Sequence, residues 1–120
     1  MGITGMGGVL IRADDPEALY RWYEQHLGLV RTPGGFTFPA AAQRAEIALA
    51  FLTREDTSFP RLQPVMLDLQ VDDLDAVLDR LTAAGVEVDP ERQRYDFGRF
   101  GWFVDPEGNR VELWEPAPEA

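Results

Sequence analysis

The sequence contains no cysteine, a single histidine and a single serine in 120 residues. Without cysteine there can be no disulfide, thiolate metal site or thiol nucleophile. With Ser58 as the only serine, set in a polar stretch, no serine–histidine–acid arrangement is available. No apolar run approaches the roughly 20 residues of a membrane span. Met1-Gly2-Ile3 opens no signal peptide, so a cytoplasmic location is expected. No glycine-rich phosphate loop follows a strand, since Gly34-Gly35 is an ordinary turn and Gly5–Gly8 opens the first strand. Basic residues are few: eleven against twenty-one acidic ones give a net charge of −10. That balance repels nucleic acid and anionic membranes, and Arg92 and Arg94 sit among acids. It serves solubility and would suit a cationic small molecule.

An apolar content of 45% with three Trp, three Tyr and seven Phe fits one globular domain spanning 1–120. The most informative stretch is Arg99–Pro116, RFGWFVDPEGNRVELWEP. Apolar runs at Phe100–Val104 and Val111–Trp114 read as two strands. Asp105-Pro106-Glu107-Gly108-Asn109 between them supplies the turn residues. Alternation turns Glu112 away from the face on which Val111 and Leu113 pack.

The chain also repeats itself at an offset of 58 residues, VLIRADDPEA from Val9 matching LDLQVDDLDA from Leu67. Each copy is a strand, a double aspartate and a helix. Asp14 or Asp15, and Asp72 or Asp73, can cap the helices, and Pro16 suits a first turn. Leu19, Trp22, Tyr23 and Leu27 keep helical spacing before Gly28, as do Leu74, Val77, Leu78 and Leu81 before Gly85. Strand-like runs follow at Phe36–Phe38 and Ile47–Leu52, and in the second copy near Val86–Val88 and in the closing hairpin. Thr53–Gln63 reads as the linker between a module of about 1–56 and one of about 63–116.

Alone, this repeat fits a ferredoxin-like domain as well as paired βαβββ modules. Taken together, the two helix entries, Trp22-Tyr23…Leu27-Gly28-Leu29 and the Asp-Pro-Glu-Gly-Asn hairpin resemble the glyoxalase/bleomycin-resistance/dioxygenase group, the vicinal oxygen chelate superfamily. The resemblance implies an α+β fold of two tandem βαβββ modules. Their curved mixed sheets surround a cleft, and their helices lie on the outer face.

Strand alternation then assigns the cleft lining. Leu10 and Arg12 face it from the first strand, Met66, Asp68 and Gln70 from its repeat, and Phe100, Trp102, Arg110, Glu112 and Trp114 from the hairpin. Asp68 could equally be a solvated surface acid, and the two tryptophans could be core. Glu112 in such a setting calls for a partner, expected in Arg12 or Arg110.

In the metalloenzymes of the family the strand glutamate, here Glu112, is typically a metal ligand. The other ligand positions fall on Gly8, Met66 and the Ala48–Ala50 stretch, which offer only a thioether. His26 lies on a helix, away from these strands. No tightly bound transition metal or other cofactor is expected, although Asp68 and Glu112 could hold Mg²⁺ or Mn²⁺ weakly. Two functions follow. One is a binding protein for an aromatic or cationic small molecule, stacking it on Phe100, Trp102 and Trp114. The other is a glyoxalase-like lyase or isomerase with Glu112 as its catalytic base. A homodimer is expected, since pairing would cover sheet edges and complete both clefts.

Overall fold

A computed structural model describes Gly2 and residues 6–118. The element order is α1 (Pro16–Leu27), β1 (Arg31–Thr32), β2 (Gly35–Phe36), a 3-10 turn at Ala40–Ala42, β3 (Asp68–Gln70), α2 (Leu74–Ala83), β4 (Gln93–Tyr95), β5 (Gly98–Val104) and β6 (Arg110–Pro116). Both helices start where their aspartates allow. The Asp15 carboxylate accepts from the Ala18 N–H, and that of Asp73 from the Ala76 N–H, relieving donors that have no partner inside the helix. Pro16 occupies the first helical turn, and Gly28 ends α1 in the left-handed region at φ 69°.

The second half of the chain forms a mixed four-stranded sheet ordered β3-β6-β5-β4. β3 runs parallel to β6, and the other pairs are antiparallel. The stretch expected near Val86–Val88 touches this sheet through one bridge, Val88 to Phe103. α2 covers one face, where Leu74, Leu78 and Leu81 close over Phe103, Val111 and Leu113 to form the core. This burial of six large side chains is the main apolar contribution to stability. Gly101 allows the close approach: a Cβ there would lie 2.4 Å from the Leu78 Cδ1 atom.

α1 is joined to this sheet by polar contacts and one aromatic stack. The Asp105 carboxylate, 5% exposed, receives the Tyr23 hydroxyl at 2.9 Å and the amide side chain of Asn109. It also receives the backbone N–H groups of Glu107 and Asn109, closing the hairpin turn. The Glu107 carboxylate in turn accepts from the N–H groups of Asp14 and Asp15 at the start of α1. Trp22 stacks on Phe103, with ring centroids 5.8 Å apart.

The first half departs from expectation in one respect. Residues 6–13 and 46–52 form no regular element and join no ladder, and in this half only β1 and β2 pair. Their apolar side chains stand in solvent: Leu10 is 96% exposed and Phe51 89%. The pattern of a strand is present in both, yet a strand exists only where a neighbour takes its backbone groups, and among the described residues none does. Phe36–Phe38 likewise contributes only Phe36 to β2. Conversely, β4 was not legible in Gln93-Arg94-Tyr95, which carries no apolar alternation.

Removing the Tyr23 hydroxyl leaves a buried carboxylate short of one donor. Tyr23→Phe is therefore expected to cost about 1.5–3 kcal/mol, the range for hydrogen bonds to charged groups, measured by urea unfolding.

Candidate functional site

β6 alternates cleanly. Val111 and Leu113 point into the core, and Arg110, Glu112 and Trp114 to the opposite face. Cross-strand register brings Trp102 of β5 beside Glu112, and Phe100 beside Trp114. On the other side, Asp68 and Gln70 of β3 lie level with Glu112 and Trp114. Six of the expected residues, Asp68, Gln70, Phe100, Trp102, Glu112 and Trp114, thus share one patch of sheet.

Its aromatic part is ordered. Phe100 and Trp114 stack at 5.9 Å with planes 4° apart. Phe97 and Tyr95, not foreseen in the sequence, extend the row through edge contacts to Phe100 and a stack between themselves at 5.3 Å. The Trp114 indole N–H donates to the Phe97 carbonyl at 3.0 Å, fixing the loop between β4 and β5 against β6. Trp102 is different: only 8% exposed, it belongs to the floor. Its indole N–H donates to Glu112 Oε1 at 3.2 Å.

The other expected residues lie apart from this patch or are engaged elsewhere. Leu10 and Arg12 sit on the unpaired 6–13 segment, and Arg12 makes no hydrogen bond or ion pair among the described residues. Met66 directly precedes Leu67, whose carbonyl accepts the Glu112 N–H. The Gln70 carboxamide spans the backbone of Ala45, bonding both its N–H and its carbonyl. Arg110 is not the partner of Glu112. Its guanidinium donates to Asp89 and to the Ser58 carbonyl, and lies 5.3 Å from the Trp102 ring centre. The Gln63 side chain grips both backbone groups of Arg110 in the way Gln70 grips Ala45.

Glu112 therefore faces another acid, the exposed Asp68 that stands level with it on β3. Burial first, and then Asp68, push the Glu112 carboxyl up to about 8, while the Trp102 N–H and the more distant Arg110 pull it down less strongly. Elsewhere the acids are held down by arginines: Arg99 and Arg92 lower Asp75, and Arg110 lowers Asp89.

These donors do not fit the divalent metal of the family's enzymes. Among the described residues no three His, Cys, Asp or Glu side chains converge on one point. Gly8 offers no side chain, and one Glu112 oxygen already accepts an indole N–H. His26 packs beside Trp22, at 4.8 Å between ring centres.

A raised carboxyl has a signature in stability. Between pH 4.5 and about 8 the folded protein keeps a proton that the unfolded chain releases. Stability from this group is thus complete below pH 4.5 and declines as pH rises through that interval. Thermal unfolding from pH 5 to 9 should show this decline, and Glu112→Gln should flatten it.

The comparisons with known proteins agree with this architecture. The family model for the Glyoxalase/Bleomycin resistance protein/Dioxygenase superfamily matches residues 5–113. Among solved structures, the chain is similar to TnmS3, an antibiotic binding protein from Streptomyces sp. CB03234, with 28% identity, coverage of 98% of this chain and 99% of that one, and a TM-score of 0.62. A glyoxalase/bleomycin resistance protein from the same organism shares 28% identity over 88% of this chain and 95% of that one, with a TM-score of 0.56. A superfamily domain from Frankia sp. EAN1pec, at 21% identity over 97% of this chain and all of that one, has the same fold with a TM-score of 0.60. No curated protein matches the sequence. With a family model spanning nearly its whole length, the chain belongs to the Glyoxalase/Bleomycin resistance protein/Dioxygenase superfamily.

Proposed function

We propose that this protein binds a small, planar, cationic molecule on its aromatic sheet face, without a tightly bound transition metal. The observation that carries this reading is the parallel Phe100–Trp114 pair standing next to the Asp68–Glu112 carboxyls. Flat rings gain by offset stacking on such a row, and a positive charge gains from both the ring faces and the acids. The acidic balance of the chain favours encounter with a cation. The likeness to an antibiotic binding protein along the full chain length supports a binding role.

The face is open on one side, and a homodimer would close it. Residues 6–13 and 46–52 carry exposed apolar side chains and unused backbone groups, and a second copy can supply neighbours for both. Sedimentation should then give twice 13.5 kDa. A 13.5 kDa species at micromolar concentration would contradict the pairing.

One observation favours a second reading, an enzyme in which Glu112 moves a proton. A carboxyl pushed up to about 8 exchanges its proton near neutral pH. With Arg110 held by Asp89, the exposed Arg12 would have to steady a substrate carboxylate or oxyanion. Turnover surviving Glu112→Gln would remove this alternative.

For the binding reading, a panel of aromatic cations is the test. A true ligand present at 100 times its Kd should add about 2.7 kcal/mol of stability, visible as a raised melting temperature and a heat of binding. A panel giving neither would sink the proposal.

A further inference from the structure

Resting on that binding reading, we propose that the Asp68–Glu112 pair receives the charged end of the ligand and requires N–H donors on it. The class selected is a protonated amine, amidine or guanidine, taken in preference to a quaternary ammonium or a divalent metal ion.

The argument starts from how the other carboxyls of this acidic chain are satisfied. Among the described residues, Asp56, Asp75, Asp89, Asp105, Glu107 and Glu115 are buried or half-buried, and each accepts from an arginine, a hydroxyl or a backbone N–H. Glu112 is half-buried too, yet among the described residues its side chain accepts only one N–H, from Trp102, and the exposed Asp68 stands level with it on the adjacent strand. Two acids side by side on level strands are joined only through a hydrogen that one of them surrenders or a donor brings in. No cation among the described residues supplies that donor. Arg110, the closest by sequence, is held by Asp89 and Ser58.

A cation with two N–H groups answers this arrangement, giving one donor to each carboxyl while its ring system lies along Phe100 and Trp114. Such charge-assisted bonds are about twice as strong as neutral ones. A quaternary ammonium can use the ring faces but brings no donor to either acid. A metal ion would have to compete with the Trp102 N–H for Glu112 Oε1, with no further ligand converging there.

A matched pair of probes separates these cases. The 9-aminoacridinium ion carries N–H donors, and 10-methylacridinium presents a similar ring and charge with none. Titration calorimetry of the full chain at pH 7 should give an affinity at least tenfold higher for the aminoacridine. Asp68→Asn should reduce that preference, and circular dichroism of the variant would establish that it folds. Equal affinities for the two probes would overturn the N–H requirement while leaving the aromatic-cation reading intact. Heat from neither probe would overturn both. Binding of Mg²⁺ or Mn²⁺ alone at micromolar concentration, abolished by Asp68→Asn, would assign the pair to a metal and overturn the inference.

Discussion

The Asp105 carboxylate holds the two halves of this molecule in their relative positions. One buried group closes the turn between β5 and β6 and accepts the Tyr23 hydroxyl of α1. Burying an acid is costly unless its lone pairs are filled, and here they are filled by donors from both sides of the contact. Tyrosine is correspondingly reluctant to ionise, since burial and the adjacent charge both oppose it. Because Asp105 anchors the same hairpin that carries Trp102 and Glu112, the position of the first helix and the geometry of the site are set together.

The hairpin also governs how both helices begin. Glu107, in its turn, caps the entry to α1 through the N–H groups of Asp14 and Asp15, while Glu115, on β6, accepts the Leu74 N–H at the entry to α2. A carboxylate at a helix start satisfies free donors and meets the positive end of the helix dipole. Several acids of this acidic chain are therefore consumed in architecture, and others by Arg92, just before β4, and Arg99 of β5, which reach across to α2. Glu112, half-buried and bonded only by the Trp102 N–H, stands outside this pattern, and the difference marks its face of the sheet.

The fold was legible in the sequence where structure is local. Asp15, Pro16 and Gly28 bound α1, and the Asp-Pro-Glu-Gly-Asn turn sits between β5 and β6, because caps and turns depend on residues a few positions apart. Alternation along β6 likewise put Glu112, Trp114 and Arg110 on one face. Partnership was not legible. The sequence suggested Arg12 or Arg110 for Glu112, but Arg12 bonds nothing among the described residues and the Arg110 guanidinium reaches Asp89, and nothing in the local pattern distinguishes one acid from another. Segments 6–13 and 46–52 have the right alternation without a ladder, since pairing is decided by what lies beside a strand. Phe97 and Tyr95 joined the aromatic row because β4 folds back beside β5, a contact carried by no periodicity.

The glycine at position 101 gives the sheet an unyielding underside. With Leu78 pressed to where a side chain would begin, α2 has no slack in which to recede. Trp102 and Phe103, its neighbours on β5, are therefore backed by a rigid wall. A guest arriving on the opposite surface would have to be accommodated by movement above the strands, in the loops and the unpaired segments 6–13 and 46–52. Fit would then be tuned by those outer segments, leaving the floor constant while the range of acceptable shapes drifts.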